Sequence, residues 1–186
     1  KLTSRDLIKK ENFSMENIHS QLTSYLQKQI PNDYSKPISI SLSGGVDSSL
    51  LLCILKESFP DNQIDAITIK FSDSIDETET ASKIAKKIGV NHHIVEVDNY
   101  LEKLSDAISI TKLPFWDIHW MYVVEKAKNF SNYIVSGDGG DELFGGYVFR
   151  YSKFLSKINQ NSSPKEKIEA YLSCHERDYV PEQDKI

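Results

Sequence analysis

Two stretches of the sequence carry the residue types that phosphate chemistry needs. The first is Ser43-Gly44-Gly45-Val46-Asp47-Ser48-Ser49. Three small hydroxyl donors and a pair of glycines stand beside one carboxylate. Glycine lets a backbone approach an anion closely, and supplies φ > 0 where a tight turn requires it. Where such a stretch opens a helix, the first free N–H groups and the helix dipole favour negative charge. The Gly-Lys-Ser/Thr of a Walker A loop is absent, so no lysine reaches toward the outer phosphates. Asp47 would repel phosphate unless a cation lies between them. Mg²⁺ resolves that conflict, because it takes one or two carboxylates together with substrate oxygens. The stretch reads either as an anion cradle of this kind or as a Gly-Gly turn capped by Asp47 or Ser48.

The second stretch is Ser136-Gly137-Asp138-Gly139-Gly140-Asp141-Glu142-Leu143-Phe144-Gly145-Gly146-Tyr147, with five glycines and three carboxylates in twelve residues. Packing alone does not call for that composition. The competing readings are an acidic flexible loop or a Ca²⁺-type loop, and EF-hand spacing is absent.

Each stretch must be held by something regular. Ile38, Ile40 and Leu42 alternate with Ser39 and Ser41, the period of a strand, and Leu50 to Leu55 then read as a buried helix. The first stretch is therefore a strand-to-helix turn. Ahead of it, Ser14, Met15, Ile18, Leu22 and Leu26 predict a packing helix that Pro31 ends. Ile64 to Phe71 is apolar on both faces, as in a buried parallel strand. Asp76 and Glu79 resemble a capping box, Ala81, Ile84, Ala85 and Ile88 form a helical stripe, and Gly89 stands where a C′ glycine belongs. A third strand is predicted over His93 to Val97, with a helix behind it through Leu101, Leu104 and Ile108. Trp120, Val123, Ala127 and Phe130 mark another helix, and Tyr133-Ile134-Val135 a fourth strand that leads into the second stretch. Helices follow from Phe149 to Ile158 and after Ser163-Pro164-Lys165-Glu166, a capping box with proline at N1. Asn159 to Ser163 is the expected loop or hinge. Strands alternating with helices through short links predict an α/β fold, a doubly wound and mostly parallel sheet with flanking helices and a helical C-terminal extension. Ligands in such sheets bind at the carboxyl ends of the strands. The expected organisation is a single domain over 1–186, with a leading helix in 1–35, a core in 36–158 and the extension in 159–186.

The chain has 186 residues, 39% of them apolar, with nine Tyr, eight Phe and a net charge of −5. That suits a globular core and gives no basic surface for nucleic acid. Cys53 and Cys174 form no spaced framework and read as free thiols of a reducing compartment. No apolar run reaches membrane-spanning length, so a cytoplasmic protein with no membrane or nucleic-acid partner is expected.

The first stretch resembles the SGGxDS loop of the ATP pyrophosphatases, which cleave ATP between the α and β phosphates. Taken with the second stretch, the chain resembles the synthetase domain of the asparagine synthetase family over about residues 36 to 151. The resemblance implies an adenine-nucleotide alpha-hydrolase-like fold and an ATP-dependent amide ligase. Such an enzyme adenylates a carboxylate such as aspartate, releases pyrophosphate, and transfers ammonia to the acyl group as AMP leaves. By the resemblance, Ser43, Gly44, Gly45, Asp47, Ser48 and Ser49 hold the pyrophosphate, and Asp47 and Asp141 are the Mg²⁺ carboxylates. Ser136 and Gly137 contact the nucleotide, and backbone near Ser41 and Ile69 meets adenine and ribose. Asp138 stands where many members have Glu, implicated in amide formation as a general base or an anchor for the amine.

The family's glutaminase domain and its N-terminal Cys have no counterpart here. Free ammonia, or ammonia from a separate glutaminase, is the expected nitrogen source. The Arg/Pro-Phe-Leu-Asp segment and phosphate-contacting lysine of relatives find no match before Ile186, Tyr179-Val180-Pro181 included. The chain as given is expected to bind nucleotide better than it turns it over. The alternatives are another ATP pyrophosphatase (GMP-, NAD- or tRNA-modifying) and a non-catalytic nucleotide-binding module. His92 and His93 are expected at the surface or at a strand start, and His19 and His175 without metal partners. Trp116, Asp117, His119 and Trp120 either line an acceptor pocket or form an aromatic corner. Arg150 either reaches an anion or is solvated on a helix flank.

Overall fold

The strand segments meet in one sheet whose two faces are both covered. The computed structural model describes residues 14–31, 33, 36–72, 76–113 and 117–174. Four strands, β1 (Ile38–Ser41), β2 (Ile64–Phe71), β3 (Asn91–Val97) and β4 (Ile134–Val135), pair in parallel in the order β3-β2-β1-β4. The helices between them are α1 (Met15–Gln29), α2 (Val46–Ser58), α3 (Thr78–Ile88), α4 (Leu104–Thr111) and α5 (His119–Ala127). The fold is α/β with a parallel sheet, as the alternation predicts. Among the described residues no helix is long and apolar enough to cross a membrane. Contacts divide the chain into two compact units, Lys1–Gly137 and Asp138–Ile186.

In the first unit, Ile38, Ile40, Ile64 and Ala66 point to one face. There they bury against Leu26 and Ile30 at the end of α1, Leu52 and Leu55 of α2, and Ala81 and Ala85 of α3. Ile67 and Ile69 point to the other face and pack with Val123, Trp120 and Ala127. A third cluster gathers Val97, Ile118 and Tyr122 with Phe71, Tyr100 and Leu104. β1 is thus covered on both sides, and Ser39, which the alternating pattern sets on a polar face, is fully buried. β2 has the predicted bounds because its apolar residues serve both faces.

Several local expectations hold and several do not. Ser14 caps α1, its hydroxyl accepting the Asn17 N–H at 3.1 Å, and Gly89 ends α3 at φ 80°. The Asp76–Glu79 capping box does not form. Asp76 Oδ1 accepts the Thr78 N–H at 2.9 Å, while Glu79 is drawn to Lys83 at 2.6 Å one turn on. Behind β3 the chain first makes a 3-10 turn, Tyr100–Lys103, before the short α4, and Leu101 and Ile108 are exposed, with Ala107 the buried residue. On α2, Leu50 and Cys53 face out, so that helix is buried on one side only.

The second unit is helical: α6 (Gly140–Phe144), α7 (Val148–Lys157) and α8 (Pro164–Ser173). The Ser163–Glu166 capping box is complete, with the Ser163 N–H donating to Glu166 at 2.7 Å and the Glu166 N–H to Ser163 Oγ at 3.3 Å. The Phe154 and Tyr171 rings meet edge to face at 5.9 Å, linking α7 to α8.

Candidate functional site

Running outward from β1, the sheet continues through β2 to β3 on one side, and the chain returns to place β4 on the other. The order therefore reverses between β1 and β4, the place where open α/β sheets leave a crevice for ligands. The first glycine-rich stretch leaves the carboxyl end of β1, and the second begins at the carboxyl end of β4.

The Ser43–Ser49 loop is braced mostly by its own hydroxyls. The Ser43 N–H donates to Ser48 Oγ at 3.1 Å, the two hydroxyl oxygens lie 2.9 Å apart, and the Gly45 N–H donates to Ser43 Oγ at 3.1 Å. Ser49 Oγ donates to the Gly45 carbonyl at 2.6 Å. Ser48 is buried, so its role in the structure is to shape the loop, whereas Ser43 and Asp47 are exposed. Gly45 is the N-cap of α2 and offers no side-chain cap, which leaves the first-turn N–H groups without a partner from the cap residue. Neither Gly44 nor Gly45 adopts positive φ. Gly44 is small for a different reason: a Cβ on it would stand 3.2 Å from the Thr80 side chain.

Gly137 comes close to the backbone of this loop. A Cβ there would lie 3.1 Å from the Ser48 nitrogen and 3.2 Å from both the Asp47 carbonyl carbon and its Cβ. The backbone that follows β4 is thus laid against the first turn of α2, within the first unit. Ser136 and Gly137 are half-buried beside it, and Ser41, the last residue of β1, stands opposite Ile67 of β2. Ile69, one residue short of Lys70 on β2, is half-buried with its side chain packed against the far-face clusters.

In the second unit, Asp138 and Asp141 are exposed, and α6 runs between two glycines in the left-handed region, Gly139 at φ 90° and Gly145 at φ 71°. The Asp141 carboxylate lies over Gly146, where any Cβ would overlap it. Glu142 accepts the Tyr147 hydroxyl at 2.5 Å, which lowers the Glu142 carboxyl below its ordinary range and raises the Tyr147 phenol. Arg150 packs its guanidinium over the Tyr147 ring at 4.3 Å, so it is neither free nor merely solvated.

His92 and His93 lie at the start of a strand, as one of the two readings has it, but not at the surface. β3 begins at Asn91, two residues earlier than predicted, and His92 and His93 are half-buried members of a polar interior. His93 Nε2 lies 2.8 Å from the buried Asp65, which also accepts from Gln63 at 2.9 Å and Asn91 at 3.1 Å, and its ring stacks on Phe130 at 4.3 Å. Burial alone would raise the Asp65 carboxyl. The bonds from His93, Gln63 and Asn91 outweigh it and hold that carboxyl below its ordinary range. His92 bonds Thr68 and Ser82, and burial, with the neighbouring His93, pushes its pKa down. His19 pairs with Glu57 at 3.0 Å, and His119 with Asp117 at 2.5 Å. Trp116, His175 and Tyr179-Val180-Pro181 lie outside the described residues.

One residue at the loop escaped sequence reading. Glu77, the N-cap of α3, accepts the Gly44 N–H at 3.3 Å. Its signal was positional: the turn after β2 emerges on the same sheet edge as the turn after β1.

Among the described residues no group of three or more His, Cys, Asp or Glu is gathered to hold a metal by itself. Mg²⁺ does not need one, since it draws most of its ligands from phosphate and water. An exposed carboxylate on the first turn of a helix whose N-cap lacks a side chain fits that demand.

The model of the asparagine synthase family matches residues 20–183. The chain belongs to that family. The match is wider than the two motifs, beginning in α1 and running past α8. A Methanocaldococcus jannaschii protein, provisionally named an asparagine synthetase [glutamine-hydrolyzing], is 33% identical over 117 residues, 60% of this chain. Asparagine synthetase [glutamine-hydrolyzing] 1 of Bacillus subtilis is 28% identical over 145 residues, 74% of this chain. The chain spans 23% of the length of each of these relatives. An NH3-dependent NAD synthetase from Campylobacter jejuni, 18% identical, shares the fold with a TM-score of 0.52 over 73% of this chain and 61% of that one.

Proposed function

We propose that the Ser43–Ser49 loop binds the phosphates of ATP together with Mg²⁺, and that the protein adenylates a carboxylate and passes the acyl group to ammonia. The observation that carries this reading is the seating of Gly137 against the backbone of Asp47 and Ser48. It joins the start of the second glycine-rich stretch to the first turn of α2, and the pair of stretches is far more specific than either one. The B. subtilis relative's name supports the amide-forming chemistry.

The first-turn N–H groups of α2 are aimed where pyrophosphate charge would sit, and the braced loop holds them there before the ligand arrives. Asp47 would hold the metal, and Asp141 enters as its second carboxylate on the family resemblance alone. Mg²⁺, when bound, supplies charge neutralisation between carboxylate and phosphate oxygens and stabilises pyrophosphate as a leaving group. A carboxylate oxygen of the substrate attacks the α-phosphorus, the bond to the α–β bridging oxygen breaks, and pyrophosphate leaves. Ammonia then attacks the acyl carbon and AMP leaves with the bonding pair. Asp138, again by resemblance, takes the proton that the new amide loses.

The test is AMP and pyrophosphate release with ammonia across a panel of amino acids and other carboxylates. Aspartate-dependent release of both products, with an amide formed, is the expected result. Release with a different carboxylate keeps the chemistry and changes the substrate, and Mg·ATP binding without any turnover would make this a nucleotide-binding module.

A further inference from the structure

A chain of hydrogen bonds runs from α3 through β3 and β2 to the residue that hands β1 over to the phosphate loop. Thr68, buried on β2, donates its hydroxyl to the Leu42 carbonyl at 2.7 Å. A hydroxyl has one proton, so toward its other neighbour Thr68 can only accept. That neighbour is His92 Nε2 at 2.8 Å. Nε2 therefore carries the imidazole proton. His92 Nδ1 is left with a lone pair, which accepts from Ser82 Oγ of α3 at 3.0 Å. The tautomer follows from the hydrogen bonds, and burial, with the neighbouring His93, lowers the pKa of the ring, which favours its neutral form.

The far end of the chain is the peptide group between Leu42 and Ser43. Its carbonyl is held by Thr68, and its N–H by Ser48 Oγ at 3.1 Å. The peptide unit is planar, so gripping both ends fixes the plane. The Leu42 N–H is held as well, donating to the Ile67 carbonyl at 2.8 Å. Tilting that plane would break the Thr68 bond on one side and the Ser48 bond on the other. It would also swing Ser43, whose hydroxyl orders the Gly45 N–H.

The geometry points to His92 as a positioning residue for the phosphate loop: in its Nε2–H form it holds the Thr68 hydroxyl on the Leu42 carbonyl, and so sets the peptide plane from which the loop departs. This rests on reading Ser43–Ser49 as the nucleotide-binding loop. His92 touches no substrate in this account; it acts through Thr68.

Three measurements on the full chain test it. Two-bond proton–nitrogen correlation spectra of the histidine side chains at neutral pH should show His92 as the neutral Nε2–H tautomer. The Nδ1–H tautomer or an imidazolium would overturn the inference. Hydrogen exchange of the Ser43 amide should quicken in Thr68→Val and stay at the wild-type rate in Thr68→Ser, which keeps the hydroxyl. Equal rates in all three proteins would overturn it as well. Calorimetric titration with Mg·ATP should show affinity about tenfold weaker in Thr68→Val and His92→Phe, the usual scale for losing an outer-shell support, with Thr68→Ser at the wild-type value. Undiminished binding in Thr68→Val would sink the positioning role even if the tautomer is right. Should His92→Phe fail to fold, the Thr68 pair decides, since both variants leave the ring in place. Should the wild type bind no Mg·ATP, the nucleotide reading has failed, and the tautomer and exchange data still judge the positioning of the loop.

Discussion

The two glycine-rich stretches differ in what glycine does for them. In the first, neither Gly44 nor Gly45 leaves the ordinary φ range, and smallness matters because Thr80 crowds Gly44. In the second, Gly139 and Gly145 adopt left-handed φ at the two ends of α6 with open space or ordinary contact around them, so conformation matters. Gly137 begins the second stretch yet behaves like the first, with a normal φ and backbone atoms close by. Gly146 is likewise kept small by the Asp141 carboxylate. The first stretch is thus built by close approach, and the second by close approach at Gly137 and Gly146 and by backbone conformation at Gly139 and Gly145. A loop of the first kind is braced in advance, and if it binds an anion as proposed its N–H groups lose less ordering entropy than a flexible loop would.

The largest effect should come from the charge that the preformed loop presents. Asp47→Asn removes the anion on the first turn of α2 and keeps the shape. If Asp47 carries the metal, Mg·ATP affinity should fall by about a hundredfold or more, at or beyond the top of the range for outer-shell losses, with the melting temperature nearly unchanged. Asp141→Asn is the matched experiment in the second stretch. Unchanged calorimetric affinity in both variants would remove the metal assignment and leave the loop as a turn.

Next comes Gly137→Ala. The added methyl meets the Ser48 nitrogen and the Asp47 backbone, which cannot yield as a flexible side chain would. Overpacking of this kind costs about 1–3 kcal/mol, and the shift falls on the residues proposed to hold phosphate. Stability and Mg·ATP affinity should drop together. A loss of stability with affinity intact would show that the contact is only packing.

Gly139→Ala should cost less, about 1–2 kcal/mol for a left-handed residue, because nothing stands near the new methyl. Gly139→Asn should recover part of that, since asparagine tolerates left-handed φ. Gly137→Asn should be worse than Gly137→Ala, because size is the problem there. Chemical denaturation of the four variants separates the two uses of glycine, and the same ranking at both positions would erase the distinction.

What the sequence disclosed follows the range of the interactions. The SGGVDSS loop was legible because its brace is local: Ser43, Gly45, Ser48 and Ser49 bond one another within a few residues. The Gly89 cap and the Ser163–Glu166 box were legible for the same reason. The Asp76–Glu79 box had the right spacing, but Lys83, an equally local partner, took Glu79. His92 could not be read, since Thr68 lies 24 residues away and shares its neighbourhood only after β2 and β3 pair. Glu77 reaches Gly44 across 33 residues for the same kind of reason. Strand pairing creates those contacts, and no periodicity announces them.

The smallest predicted effect is a dependence of stability on pH that traces to His92. Burial is the chief reason its folded pKa lies below the ordinary value of about 6.5, with His93 adding to it. Well above pH 6.5 the residue is neutral in both folded and unfolded chains and its contribution is constant. As pH falls below that value, the unfolded chain takes up a proton at His92 while the folded chain does not, until its own lower pKa is reached. The unfolded state then binds more protons, so stability falls as pH falls through this window. Ordinary carboxylates titrate lower, near pH 4, and Asp65 lower still in the folded protein. The upper part of the window is therefore free of them. Denaturant midpoints measured across it should decline toward acid in the wild type, and the decline should flatten in His92→Phe, which cannot take the proton. The same slope in both proteins would mean that the ring is charged or solvated in the folded state, and that the neutral link between Ser82 and Thr68 does not exist in solution.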